Sequence, residues 1–334
     1  MKKIMNSAES YVTDMLEGIY AAHGDMVVPV GGQLRCYRAI HKKPGKVAIV
    51  TGGGSGHLPL FLGYVGQGML DGCAVGGVFQ SPSAEEMLEV TKAVDNGAGV
   101  LYLFGNYSGD IMNFEMAGEL AEMDDIKTYC VVGNDDVASA AKGNESIRRG
   151  VAGIFFMYKC AGAKADEMAS LDEVKALAEK VGSRVRTMGF ALSPSIIPEI
   201  GHPNFTVGED EISIGMGIHG EPGIRTAKML TAKEIANEAM DAILNDMPFA
   251  PSEQAAVLIN GLGSTPLDEL YILYNEVAQI LKQKGIDVFK VWVGEFATSM
   301  EMAGASISVL RLDEEIKALL SKPAHTPFYS NPQL

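Results

Sequence analysis

Basic residues are scarce in this chain. Its 27 Lys and Arg stand against 42 Asp and Glu, giving a formal net charge of −15. No basic tract offsets that balance, which disfavours nucleic acid and anionic membranes as partners and favours solubility. Cysteine is sparse too: Cys36, Cys73, Cys130 and Cys160 lie far apart, with no CxxC pair and no Cys/His cluster at zinc spacing. They read as free thiols of a reducing compartment, and no metal site is expected. No uninterrupted apolar run reaches the ~18–20 residues of a membrane span. The two lysines of the opening MKKIMNSAES are not followed by the apolar stretch of a signal peptide. The expectation is a cytoplasmic protein. Nucleotide signatures are missing as well: there is no GxxxxGK[ST] and no GxGxxG.

What is present is an ordinary core-forming composition, 47% apolar and 21% charged, with 38 glycines. At 334 residues the chain has the length of two domains or one large one. A first helix is expected over about 7–23, capped by Asn6 with Glu9 three residues on. Strands follow at Lys46–Thr51, Gly99–Phe104 and Thr128–Gly133, with helices over 84–95, opened by the Ser83/Glu86 capping box, and over 113–123. Short apolar strands alternating with helices imply an α/β fold built on largely parallel or mixed sheets flanked by helices. A helix over about 170–186 precedes a proline-rich stretch, and the boundary is placed there, giving domains 1–188 and 189–334. The second half offers a helix from Thr231/Glu234, a strand at Ala255–Asn260, a long helix from Pro266 to about Lys284, and strands at Asp287–Val293 and Ala305–Leu312.

Three segments place polar residues just after apolar strands, where open α/β sheets bind ligands. In TGGGSGH (Thr51–His57), three successive glycines ending at Gly54 and a fourth at Gly56 let the backbone approach a ligand. His57 follows them and precedes a helix-like LPLFLGYVG, whose N-terminus would keep the imidazole neutral. Asp110, in GNYSGD after Gly105, is either a helix cap or a general base. His219 sits in the glycine-rich loop GMGIHGEPG, either as an exposed loop histidine or as an imidazole presented to a cavity.

Together with NGLGSTPLDELY (Asn260–Tyr271), these segments resemble the substrate-binding subunit of dihydroxyacetone kinases, the DhaK family, along nearly the whole chain. The resemblance implies two α/β domains and a homodimer. It implies that His219 adds covalently to a ketone carbonyl as a hemiaminal, that Asp110 contacts the substrate hydroxyl as base, and that His57 assists. The pocket would be lined by Gly54, Ser55, Gly56 and Gly105. An imidazole nitrogen has no second proton to lose after addition, so the adduct stops at the hemiaminal. Because His219 must be unprotonated to add, capture is expected to weaken as pH falls through its titration. No nucleotide cofactor is expected on this chain. The resemblance puts Mg-ATP or Mg-ADP on a separate DhaL-like nucleotide-binding subunit, fed by free ATP or a phosphotransferase relay.

Two departures from the family pattern bear on the substrate. Gly105 stands where dihydroxyacetone-specific members carry lysine, and His57-Leu58-Pro59-Leu60 stands for His-Glu-Pro-Ala. Both point to a ketose with one more carbon, such as erythrulose. They also fit a paralogue that senses dihydroxyacetone as coactivator of a transcription regulator.

Overall fold

A computed structural model describes residues 2–332. Two compact units interleave along the chain: the first comprises Met1–Gly133, Met157–Lys180 and Ala318–Leu334, the second Asn134–Phe156 and Val181–Lys317. The sequence suggests one boundary after residue 188; the chain instead leaves and rejoins each unit.

The first unit opens with α1 (Tyr11–His23), a hairpin of β1 (Val27–Val30) and β2 (Gln33–Ala39), then β3 (Ala48–Ser55) and β4 (Gly72–Val78). It continues with α2 (Ala84–Val94), β5 (Val100–Gly105), α3 (Ser108–Glu122) and β6 (Thr128–Gly133). Helix α4 (Ile154–Asp166) and α5 (Leu171–Ser183) follow, then β7 (Val185–Ala191), β8 (Glu211–Ile214), β9 (Arg225–Lys228), α6 (Ala232–Asp246) and β10 (Gln254–Gly261). The chain ends with α7 (Leu267–Gln283), β11 (Asp287–Glu295), β12 (Gly304–Arg311), α8 (Glu314–Ser321) and a small pair, β13 (Ala324–His325) and β14 (Ser330–Asn331).

The first sheet runs β1-β2-β4-β3-β5-β6. Its β4, β3, β5 and β6 are mutually parallel, and the β1-β2 hairpin adds an antiparallel edge. The second runs β11-β10-β12-β7-β8-β9, parallel only between β10 and β11. The α/β class with two mixed sheets is therefore as expected. In the first unit β3 and β5 are buried at every position, as suits strands covered on both faces. Phe114 of α3 stacks on Phe104 of β5, centroids 4.2 Å apart, and so seats α3 on the sheet. In the second unit Met240 and Ile243 of α6 and Val277 of α7 close over Val257, Ile259, Ile307 and Val309. Each such side chain contributes ~1.5–3 kcal/mol by leaving water.

Capping chemistry sets two helix starts as read from the sequence. Ser83 and Glu86 exchange both bonds of a capping box, and so do Thr231 and Glu234. The first helix differs. It begins at Tyr11, Asn6 bonds Asp14 instead of capping, and the Ser7 hydroxyl takes the Ser10 N–H. The NGLGST segment is a brace. Asn260 is fully buried; its amide donates to the Ala297 carbonyl and the Ser306 hydroxyl, and its carbonyl accepts from the N–H groups of Phe296 and Ala297. Thr265 exchanges two 2.8 Å bonds with the backbone of Gly304. Among the described residues no helix is long and apolar enough to cross a membrane.

Candidate active site

The topology of the first unit selects one crevice. From β3 the chain steps to β4 on one side and then returns to β5 on the other. Helices and loops leaving β3 and β5 therefore diverge, and the carboxyl ends of these two parallel strands are where an open α/β sheet offers a ligand crevice. His57 follows β3, and Asp110 lies in the first turn of α3, just after β5. Gly54, Ser55, Gly56 and Gly105 belong to the same strand ends. The fold thus brings six of the seven expected site residues to one edge of one sheet. His219 lies in the second unit.

The glycine-rich segment is not a turn. Residues Gly52 to Gly54 continue β3, and the strand ends only at Ser55. Absent side chains let neighbours pack onto the backbone. A Cβ on Gly53 would meet the Phe61 ring at 2.2 Å, and one on Gly54 would meet the backbone of Phe79 and Gln80 at 2.7 Å. The Ser55 hydroxyl is committed to the Gly76 carbonyl at 2.8 Å. Gly56, at φ 101°, turns the chain out of the sheet.

His57 is fully buried in an aromatic frame. Phe79, just after β4, stacks on its ring at 4.7 Å and 24°, and Phe61 meets it edge-on at 6.0 Å. Phe79 has φ 57°, a strained conformation for an aromatic residue, costing ~1–3 kcal/mol and held by its packing. No helix starts at His57. The following segment turns through cis Leu58–Pro59 and Leu60–Phe61 peptides into a single 3-10 turn, Leu62–Tyr64. Leu60, Phe61 and Leu62 are all buried, so the run has no polar face for an amphipathic helix. His57 therefore has no helix N-terminus beside it to favour the neutral imidazole.

Asp110 is 5% exposed. It is not the cap of α3, because the helix already starts at Ser108 with Tyr107 at the N-cap. The capping alternative therefore falls away. As a first-turn carboxylate Asp110 sits where the helix dipole favours negative charge.

His219 occupies the tip of the β8–β9 hairpin, whose last register pair is Ile214 and Arg225. Its partner is a residue that the sequence reading passed over. One oxygen of Glu221 accepts the His219 backbone N–H at 2.9 Å; the other lies 2.8 Å from Nδ1. Burial works to raise the Glu221 carboxyl, but the His219 hydrogen bond and charge, with Arg149 nearby, overcome it and hold the group at about 2. An ionised carboxylate only accepts, so Nδ1 is the nitrogen that carries a proton, and in the neutral ring the lone pair is then on Nε2. The legible signal was a Glu two residues after a His inside a glycine loop. Gly217 is required there, since a Cβ would meet Glu221 Oε2 at 2.2 Å. Asn204 fixes the far side through the His219 carbonyl at 2.9 Å.

Residues 17–328 match the family model described as the Dak1 domain. The chain belongs to the Dak1 family. A Dak1 relative from Listeria innocua, the PTS-dependent dihydroxyacetone kinase 1, dihydroxyacetone-binding subunit DhaK, is 46% identical over 94% of this chain and 95% of that protein. The D-erythrulose kinase of Mycolicibacterium smegmatis is 44% identical over 98% of this chain, which spans 56% of that longer protein. A solved structure of the dihydroxyacetone kinase operon co-activator Dha-DhaQ superposes with a TM-score of 0.89 at 32% identity, covering 94% of this chain and 97% of that one.

Proposed function

We propose that this chain is the ketose-capturing subunit of a dihydroxyacetone or short-ketose kinase, working in the cytoplasm. The reading rests on the Glu221–His219 pair, which takes the proton of a neutral ring onto Nδ1 and so turns Nε2 into the nucleophile. Nε2 forms a bond to the ketone carbon, the carbonyl π pair moves to oxygen, and that oxygen takes a proton from water, the hydroxide left being neutralised by the proton the ring gives up. Positive charge building on the ring is met by Glu221 through Nδ1–H, which can pass to the carboxylate. Since Nε2 carries no proton, no imine follows and release is simple reversal. Glycerol has no carbonyl and is rejected.

Asp110 then serves as base for the substrate hydroxyl, with His57, held against Phe79, assisting. Phosphoryl transfer calls for Mg-ATP or Mg-ADP on a separate DhaL-like subunit, with the capturing chain acting as a homodimer. Gly105, buried at the end of β5, brings no lysine side chain to that strand end, which suits a larger, four-carbon ketose. The 44% identity to a D-erythrulose kinase supports erythrulose as a substrate alongside dihydroxyacetone.

The test is carbon NMR of carbonyl-labelled dihydroxyacetone and erythrulose with the purified chain and with His219→Ala. Conversion to a tetrahedral carbon only with His219 present is the expected result; no adduct from either ketose would overturn the proposal. A second reading, a ketose-sensing coactivator, draws on the likeness to the Dha-DhaQ structure. Turnover with a nucleotide-binding subunit and either ATP or a phosphotransferase relay separates the two, because a coactivator would form the adduct and transfer no phosphate.

A further inference from the structure

Behind Glu221 lies a second layer of charge that neither the chemistry above nor the sequence motifs use. Arg149 is 14% exposed and stems from the loop after β6, next to Asp136, whose side chain is 3% exposed. Its Nε donates to Asp136 Oδ2 at 2.8 Å, and its Nη2 donates to the Gly215 carbonyl at 2.9 Å. Gly215 is the residue at which the His219 loop leaves β8, at φ 78°. The same guanidinium reaches the Glu221 end of the loop. A Cβ on Gly217 would lie 2.2 Å from Glu221 Oε2 and 2.7 Å from Arg149 Nη1. Those two atoms are therefore within roughly 5 Å of each other, close enough for direct attraction between opposite charges.

Asp136 is itself anchored. Its backbone N–H donates to the Arg149 carbonyl, and its second oxygen takes the Ala138 N–H at 3.0 Å. Asp136, Arg149 and Glu221 thus alternate in sign, in a chain of neighbours that runs from a buried carboxylate to the His219 ring.

We infer that Arg149, held by Asp136, is a positioning residue for His219: it pins the loop at Gly215 and keeps Glu221 turned onto Nδ1, so that the ring presents Nε2. The inference rests on His219 being the capturing nucleophile. Its physical content is the choice of tautomer. An imidazole without a partner at Nδ1 carries its proton mainly on Nε2, which blocks the nucleophile. Glu221 is 28% exposed along its side chain, so without the neighbouring cation water competes for it and the ring loses its partner. Arginine suits the role because its planar fork serves Asp136 and the Gly215 carbonyl at once, which a lysine ammonium does not reproduce.

The experiment is nitrogen NMR of histidine-labelled whole chain, with the His219 signals assigned by their loss in His219→Ala. Carbon NMR titration with labelled dihydroxyacetone runs in parallel. The wild type is expected to show one tautomer, protonated at Nδ1. Arg149→Met is expected to show mixed or Nε2-protonated imidazole, and ketose capture weaker by about tenfold, the order of one charged hydrogen bond. Arg149→Lys keeps the charge without the fork and is expected to fall between the two; should Arg149→Met not fold, this variant carries the test. Wild-type tautomer and wild-type capture in whichever variant folds would overturn the inference. Failure of the wild type to form any adduct would instead sink the kinase proposal, and the tautomer signature would still decide the role of Arg149.

Discussion

Gly53 and Gly54 make different demands on the same strand, and alanine at each should separate them. In the absence of neighbours, Gly→Ala in an extended strand stabilises by ~0.4–1 kcal/mol by narrowing the unfolded ensemble. Here both positions are occupied. At Gly53 the new Cβ meets three Phe61 ring atoms at 2.2, 2.5 and 2.6 Å, and Phe61 is itself 4% exposed. The ring must shift inside a packed core, a cost of ~1–3 kcal/mol. At Gly54 the clash is with backbone: Gln80 N and Phe79 Cα at 2.7 Å and Phe79 C at 2.9 Å. No rotamer relieves that contact, so the loop carrying Phe79 must move and the ring beneath His57 moves with it. Gly54→Ala should therefore cost at least ~3 kcal/mol, the upper end for overpacking. At ~2–4 °C per kcal/mol for a unit of this size, the melting point should fall by roughly 2–12 °C for Gly53→Ala and by at least ~6 °C for Gly54→Ala. Thermal unfolding followed by circular dichroism gives the stabilities, and the ring signals of His57 in NMR report on its surroundings. If Gly54→Ala melts like the wild type with unchanged His57 signals, or is milder than Gly53→Ala, the packing account of the glycine segment is wrong.

Further outcomes follow from other residues. Asp246 receives two bonds from Arg148, whose side chain is 1% exposed, and is also paired with Arg186. Asp246→Ala should lose ~3–5 kcal/mol in urea unfolding, because it leaves a buried guanidinium uncompensated. The Arg148 hydrogen bond lowers the Asp246 carboxyl to about 2. A depressed carboxylate stabilises the fold fully above its unfolded pKa of ~3.9 and loses that contribution as pH falls through the folded value. The gap between wild type and Asp246→Ala should accordingly narrow from about pH 4 toward pH 2; a gap that stays constant would refute this. Asp110→Asn should still form the adduct while phosphoryl transfer drops by ~10²–10⁴-fold, the usual worth of a general base; coupled assays with a nucleotide-binding subunit would show the split. Phe79→Gly should be more stable than Phe79→Ala by about 1 kcal/mol, since φ 57° costs glycine little. Denaturant midpoints check this, and the reverse order would remove strain from the account.

The sequence by itself determined the elements whose code is local. Capping boxes at Ser83 and Thr231 set helix starts because the side chains that satisfy the free N–H groups lie within one turn. The apolar runs of β5 and β10 mark strands buried on both faces. The same local code was available but unread in the β1–β2 hairpin, where Gly31 and Gly32 supply the positive φ of a two-residue turn. Strand β4, GCAVGGV, was not legible, because its glycines carry little strand propensity and it is held by its neighbours on both sides.

Tertiary structure decided the rest. His57, Asp110 and His219 were picked out as chemistry-bearing residues from their places after strands. That the first two share one crevice follows only from β5 returning to the other side of β3, a fact of strand order that no local window holds. The aromatic frame of His57 depends on Phe79, whose backbone no propensity favours. The layer behind His219 joins Glu221 to Arg149 and Asp136, many residues earlier in the chain. Charge pairing of that kind is set by where distant loops meet, so the motif held the histidine and Glu221, and the fold alone named Arg149 and Asp136 behind them.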